Sequence, residues 1–103
     1  MFGNLRPSAD QTAALGRIEA WTRARFGLSS DEVVLVGELA CALPGCPPLE
    51  TVIAFWTLDL NGATLRHQLK VFKPALQVVP EDLPPYWMMP ALAVPSDYGF
   101  DCC

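Results

Sequence analysis

Six of the ten prolines fall between residues 74 and 95. Proline carries no amide donor and its ring clashes with a preceding helical turn, so this stretch admits neither a long helix nor a central strand. Regular structure is therefore expected before Pro74. After it, single turns are expected at Glu81–Leu83 and Tyr86–Met89, with Glu81-Asp82 as an acidic start that a helix dipole favours. Tyr86, Trp87, Met88 and Met89 suit two uses. They read first as cover for an otherwise open face of a small sheet, and second as an adaptable ligand surface of rings and thioethers.

The residues before Pro74 divide cleanly. A helix is expected from about Ala9 to Phe26, with Ser8 as N-cap, Gln11 completing a capping box and Gly27 as the stop. Leu15, Ile18, Trp21 or Thr22, and Phe26 fall near one stripe, whereas Arg17, Glu19, Arg23 and Arg25 lie largely off it. That is a helix packing one face on a sheet, with Trp21 as a core anchor. Val33 to about Ala40 and Thr51–Leu58 are rich in β-formers. Asn61-Gly62 is the sharpest turn signal, because a type I′ turn needs two residues that tolerate positive φ. A third strand is expected from Ala63 to about Lys73. A two-residue turn sets Leu58 opposite Leu65, Trp56 opposite His67, Ala54 opposite Leu69 and Glu50 opposite Lys73. Strand two, apolar on both faces, takes the centre of a 1-2-3 antiparallel meander.

A chain of 103 residues is one domain, and no internal repeat or interdomain linker interrupts it. With 51% hydrophobic residues it has the composition of a folded domain. The net charge of −4 and a pI near 4.7 speak against a nucleic-acid surface. Arg17, Arg23 and Arg25 come closest to a basic cluster and read as a solvated helix face. Met1–Pro7 lacks the basic and apolar regions of a secretion signal, and no apolar run approaches the ~20 residues that span a bilayer. The expected location is a reducing cytoplasm, where clustered cysteines serve metal binding or redox chemistry more than disulfides.

Cysteine placement carries the functional signal. Cys41 and Cys46 flank Pro44-Gly45, a turn that would face both thiols to one point, and Pro47-Pro48 stiffens the exit into strand two. Cys102 and Cys103 close a Gly99-Phe100-Asp101-Cys102-Cys103 segment, so residues 96–103 read as a mobile Cys-Cys tail. The expectation is one thiolate site built from Cys41, Cys46, Cys102 and Cys103, holding a metal ion (zinc or iron) or an Fe–S cluster. The competing uses are buried small hydrophobes for the loop pair, and a frayed end or lipid attachment for the tail pair. His67 sits mid-strand, too far from the loop to share its metal, and reads as a hydrogen-bonded core or cleft histidine. Glu50 is the polar candidate nearest the loop, as an acceptor behind the thiolates or as the partner of Lys73. There is no glycine-rich phosphate loop, no Ser/His/Asp constellation and no HExxH, which leans away from catalysis.

Leu43-Pro44-Gly45-Cys46-Pro47-Pro48-Leu49-Glu50, following an apolar strand, resembles the Pro-Gly-Cys-Pro loop of MIP18/SufT-type iron–sulfur assembly domains. The resemblance implies cluster or metal handling at Cys46. That family continues into a helix, whereas Thr51–Leu58 here has the composition of a strand, and the family's acidic Asp-Pro-Glu turn is missing.

The fold expected is α+β: an N-terminal helix packed on a three-stranded antiparallel β-meander, closed by a proline-rich, partly helical tail. The function expected is a cytoplasmic accessory or carrier protein that binds metal or an Fe–S cluster through thiolates and serves a protein client, with no nucleic acid or membrane partner. A dithiol redox protein is the alternative from a second class, and a non-catalytic interaction subunit docking through Tyr86–Met89 is a third.

Overall fold

The structure is a computed structural model that describes residues 8–40, 44–45 and 48–95. Helix α1 (Ala9–Phe26) is followed by strands β1 (Val34–Ala40), β2 (Leu49–Leu58) and β3 (Thr64–Val71). Three 3-10 turns follow at Ala75–Gln77, Pro80–Asp82 and Tyr86–Leu92, and a two-residue strand β4 (Ala93–Val94) comes last. The architecture is α+β, an N-terminal helix on an antiparallel sheet.

Helix α1 begins and ends as its composition dictates. The Ser8 hydroxyl accepts from the Gln11 amide at 3.0 Å, and the Gln11 side chain returns a bond to the Ser8 amide. Gly27 adopts φ 66°, a left-handed conformation that costs glycine little, and the Leu28 amide then closes on the Arg23 carbonyl at 2.8 Å. Ala14, Ile18, Thr22 and Phe26 are buried, one per turn, while Leu15 and Trp21 pack on the flanks. Thr22 takes the central place, not Trp21. Its hydroxyl donates to the Ile18 carbonyl at 2.8 Å, so burial leaves no unmet donor.

The sheet order is β1-β2-β3-β4, antiparallel throughout, with β2 central. Its core face carries Val34, Ile53, Phe55 and Val71 against the helix and the 3-10 turns. Phe55 stacks on Phe26 at 5.1 Å and on the His67 ring at 4.8 Å. A fourth strand joins the expected three: Ala93 pairs with His67 and Val94 with Arg66, and Pro95 then ends the ladder.

The β2–β3 register differs from expectation by one residue. Leu58 faces Thr64, Trp56 faces Arg66, Phe55 faces His67 and Ala54 faces Gln68. The cause is Asp59. Its carboxylate accepts from the amides of Asn61 and Ala63, each at 2.8 Å, and its backbone pairs with Ala63. The loop thus holds three residues, Leu60-Asn61-Gly62, with Gly62 at φ 80°. A one-residue slip changes every cross-strand partner. Lys73, expected opposite Glu50, instead binds the Asp82 carboxylate at 2.9 and 3.0 Å.

The proline-rich segment is poor in amide donors, and side chains help to tie it down. Arg25 donates to the carbonyls of Leu83 (2.7 Å), Pro84 (3.1 Å) and Pro80 (3.1 Å). Thr51 donates to the Lys73 carbonyl at 2.8 Å. The turn at Tyr86 runs on through Pro90 to Leu92. Met89 packs against the core, whereas Tyr86 and Trp87 are 67% and 71% exposed.

Candidate functional site

The connection between β1 and β2 is anchored at its root, where Ala40 lies opposite Leu49. Within it Pro44-Gly45 forms a turn, with Gly45 at φ 86°, where a side chain would be strained. Cys41 directly follows Ala40 and Cys46 directly follows Gly45. Cys41, Cys46, Cys102 and Cys103 all lie outside the described residues, so the expected thiolate site is framed here by its surroundings.

Glu50 is fully buried one position into β2, opposite Leu39. Lys70 lies 3.6 Å from its Oε1, on the strand face turned away from the helix. A buried carboxylate demands such company, since an isolated charge in a low-dielectric interior costs several kcal/mol or more. The pair is diagonal on the ladder, two positions from the Val52–Lys70 rung. Its place beside the loop drew attention to Glu50 in the sequence, with Lys73 as the expected partner; the register that brings Lys70 to it instead depended on Asp59.

Glu38 went unnoticed in the sequence. Its carboxylate accepts from the Gln11 side chain and, at 2.8 Å, from the Ala75 amide. It thereby joins the helix start, the β1 edge and the head of the proline-rich segment. The available signal was a lone acidic residue inside the apolar run Val33–Ala40. Arg23 and Arg25 also depart from the solvated-face expectation. Arg23 bonds the carbonyls of Ser29 and Glu32 as well as Glu19, and Arg25 holds the three tail carbonyls.

His67 is a core histidine, as its surroundings in the sequence indicated, although it faces Phe55 and not Trp56. Its Nδ1 lies 3.1 Å from the Met89 carbonyl oxygen, which can only accept, so Nδ1 carries the proton. Nε2 is then the acceptor for the Thr57 hydroxyl at 3.0 Å. Burial pushes its pKa below the usual 6.5, and the Met89 carbonyl offsets this in part. The ring is neutral near pH 7. Six positions separate its partner Phe55 from Leu49, about 20 Å along the strand. It is no ligand for an ion at the loop.

Among the described residues no three His, Cys, Asp or Glu side chains gather as a metal-binding group. Nor is any described helix long and apolar enough to cross a membrane.

No family model matches the chain, and neither the curated proteins nor the solved structures contain a significant match. The likeness of residues 43–50 to the MIP18/SufT loop rests on those residues alone. Where that family turns helical, this chain enters β2 at Leu49.

Proposed function

We propose that this chain is a small accessory or carrier protein that holds a metal ion or iron–sulfur cluster on the thiolates of Cys41, Cys46, Cys102 and Cys103 and delivers it to a protein client. A reducing cytoplasm is the compartment in which such thiolates stay available. The observation that carries the proposal is the anchored root of the β1–β2 loop. The Ala40–Leu49 rung closes the β1–β2 connection, Gly45 takes a left-handed conformation within it, and Cys41 and Cys46 belong to that connection in sequence. A loop held this way loses less conformational entropy when its two sulfurs take an ion. Zinc would be saturated by four thiolates, whereas a carrier leaves one position open to exchange.

The test is metal and sulfide content per chain on protein purified without oxygen, beside a Cys102→Ser/Cys103→Ser double variant. About one metal ion per chain in the parent, lost in the variant, supports the four-thiolate site. Iron with sulfide points to cluster handling and zinc alone to a structural site. Protein free of metal in both samples overturns the proposal; a reversibly formed disulfide would then favour the dithiol redox alternative.

The exposure of Tyr86 and Trp87 favours a second reading, an interaction subunit that docks a protein partner through this turn. It predicts that replacing all four cysteines by serine leaves partner binding intact, while Trp87→Ala weakens it.

A further inference from the structure

The sheet ends on two unlike edges. On one side β4 is two residues long and Pro95 closes it. On the other, β1 runs seven residues with β2 as its one neighbour in the sheet. The Trp56 amide donates to the Val33 carbonyl at 3.3 Å, so Val33, Leu35, Gly37 and Leu39 direct their backbone bonds to β2. The amides and carbonyls of Val34, Val36 and Glu38 therefore point outward, and among the described residues no backbone group meets them. Natural sheets blunt such an edge with lysine, proline or a bulge. Residues 33–40 hold neither lysine nor proline, and their register with β2 is unbroken. The one charge among them, Glu38, is turned to the Gln11 side chain and the Ala75 amide.

We propose that the β1 edge pairs antiparallel with the β1 edge of a second copy of this chain, joining two four-stranded sheets into one. Outward groups bond only to outward groups, so even-numbered residues of β1 face even-numbered residues of the partner. Charge and shape then choose the register. Centred on Leu35, the pairing would set Glu38 against the partner's Glu32, a destabilising like-charge pair. Centred on Gly37, it would set glycine against glycine and leave a void. Centred on Val36, it sets each Leu35 against the partner's Gly37 and each Val33 against the partner's Leu39, and no like charges meet.

The Val36-centred register fits a notch already present. Gly37 leaves a gap between Leu35 and Leu39, at an apolar hollow of about 280 Å³ that Val52 also borders. The space where a side chain on Gly37 would stand is open to 4 Å. Beside it Val33 and Leu35 are 55% and 53% exposed, large apolar groups without cover. In the pair, Leu35 enters the partner's notch and the partner's Leu35 enters this one, the same contact made twice as a two-fold interface requires. Val34, Val36 and Glu38 add about six backbone hydrogen bonds across the axis. Ala40 and the partner's Ala40 then lie eight positions apart along the ladder, about 26 Å. The two cysteine-bearing loops leave the pair at opposite ends, so the dimer needs no metal and does not rest on the thiolate proposal.

The test is sedimentation velocity of the full chain with reductant and chelator present, over about 1–500 μM, a range suited to an interface at the small end of the specific class. A reversible shift from monomer to dimer is expected. Hydrogen exchange at the amides of Val34, Val36 and Glu38 is expected to slow several-fold from the lowest concentration to the highest, while the amides of Ile18 and Thr22 in the helix stay unchanged. Gly37→Val fills the notch and Leu35→Lys places a charge in it. Both are expected to remain monomeric throughout, with the thermal midpoint of the dilute parent. Leu35 is exposed in the single chain, so Leu35→Lys decides the matter should Gly37→Val disturb the strand. A parent that stays monomeric overturns the proposal and leaves the edge to a strand of a different protein. A dimer that survives Leu35→Lys, or forms without slowing the three outward amides, overturns it and places the contact elsewhere. Metal content plays no part in the readout, so a dimer without metal, or metal without a dimer, is each recognisable.

Discussion

The imidazole of His67 donates through Nδ1 to the carbonyl oxygen of Met89 at 3.1 Å, tying β3 to the last 3-10 turn from inside the core. Its other nitrogen is occupied by Thr57, and its ring lies on Phe55. Burial lowers the pKa of the folded ring from 6.5, with the Met89 carbonyl opposing. Below the unfolded value the unfolded chain binds a proton that the folded chain resists. The contribution of His67 is therefore fully present above about pH 6.5 and declines as pH falls, with a slope of at most about 1.4 kcal/mol per unit. Urea unfolding at about pH 7.5 and about pH 5.5 checks this, because most carboxylates titrate lower. The parent is expected to lose stability over that interval, and His67→Gln to lose much less.

Arg25 illustrates a different economy, in which one planar fork serves three carbonyls of a donor-poor segment. Hydrogen bonds to a charged group contribute about 1.5–3 kcal/mol each when a partner is removed, less where water can enter. Arg25→Met is expected to destabilise the fold by about 2–4 kcal/mol and to open residues 80–84 to protease. Arg25→Lys keeps the charge but not the fork, so it should recover only part of the loss. Chemical denaturation beside limited proteolysis reads both effects.

The loop at Leu60-Asn61-Gly62 makes a prediction that separates two turn geometries. In a two-residue turn Asn61 would occupy a position needing positive φ, and Asp59 would be an ordinary strand residue. Here the Asp59 carboxylate caps two amides, and Gly62 holds the left-handed position. Asp59→Ala is expected to cost about 1–2 kcal/mol, and Gly62→Ala about 1–2 kcal/mol. Asn61→Ala should stay within about 0.5 kcal/mol. Thermal unfolding of the three variants decides it; a large loss confined to Asn61→Ala would contradict the observed loop.

What could be read beforehand follows from which signals are local. Ser8, Gln11 and Gly27 act within a few residues, so α1 was legible to its ends. The turn residue Asn61 was legible as a turn, but the carboxylate that fixes its length belongs to Asp59, one position earlier. That single residue decides whether His67 meets Trp56 or Phe55, and whether Glu50 is matched with Lys73 or Lys70. Arg25 and Glu38 were missed for the opposite reason. Their partners lie dozens of positions away, at Leu83 and Ala75, and no short pattern announces them. The cysteines were conspicuous by spacing, but spacing names candidate ligands without placing them together.

Glu38 sits where three parts of the chain meet, which makes it a sharp probe of how the proline-rich segment is held. One carboxylate oxygen accepts from the Gln11 side chain and the other from the Ala75 amide, so both partners are donors. In Glu38→Gln one acceptor becomes an NH₂ that faces a donor, and the negative charge that strengthens both bonds is gone. The expected cost is about 1–2 kcal/mol, with Glu38→Ala somewhat higher because both donors then lose their acceptor. If the Ala75 contact matters more, its amide will exchange with solvent faster in Glu38→Gln while the amides of α1 beyond its first turn do not. Faster exchange along the whole helix would instead make Gln11 the important partner, and unchanged exchange at Ala75 would remove Glu38 from the anchoring of the tail.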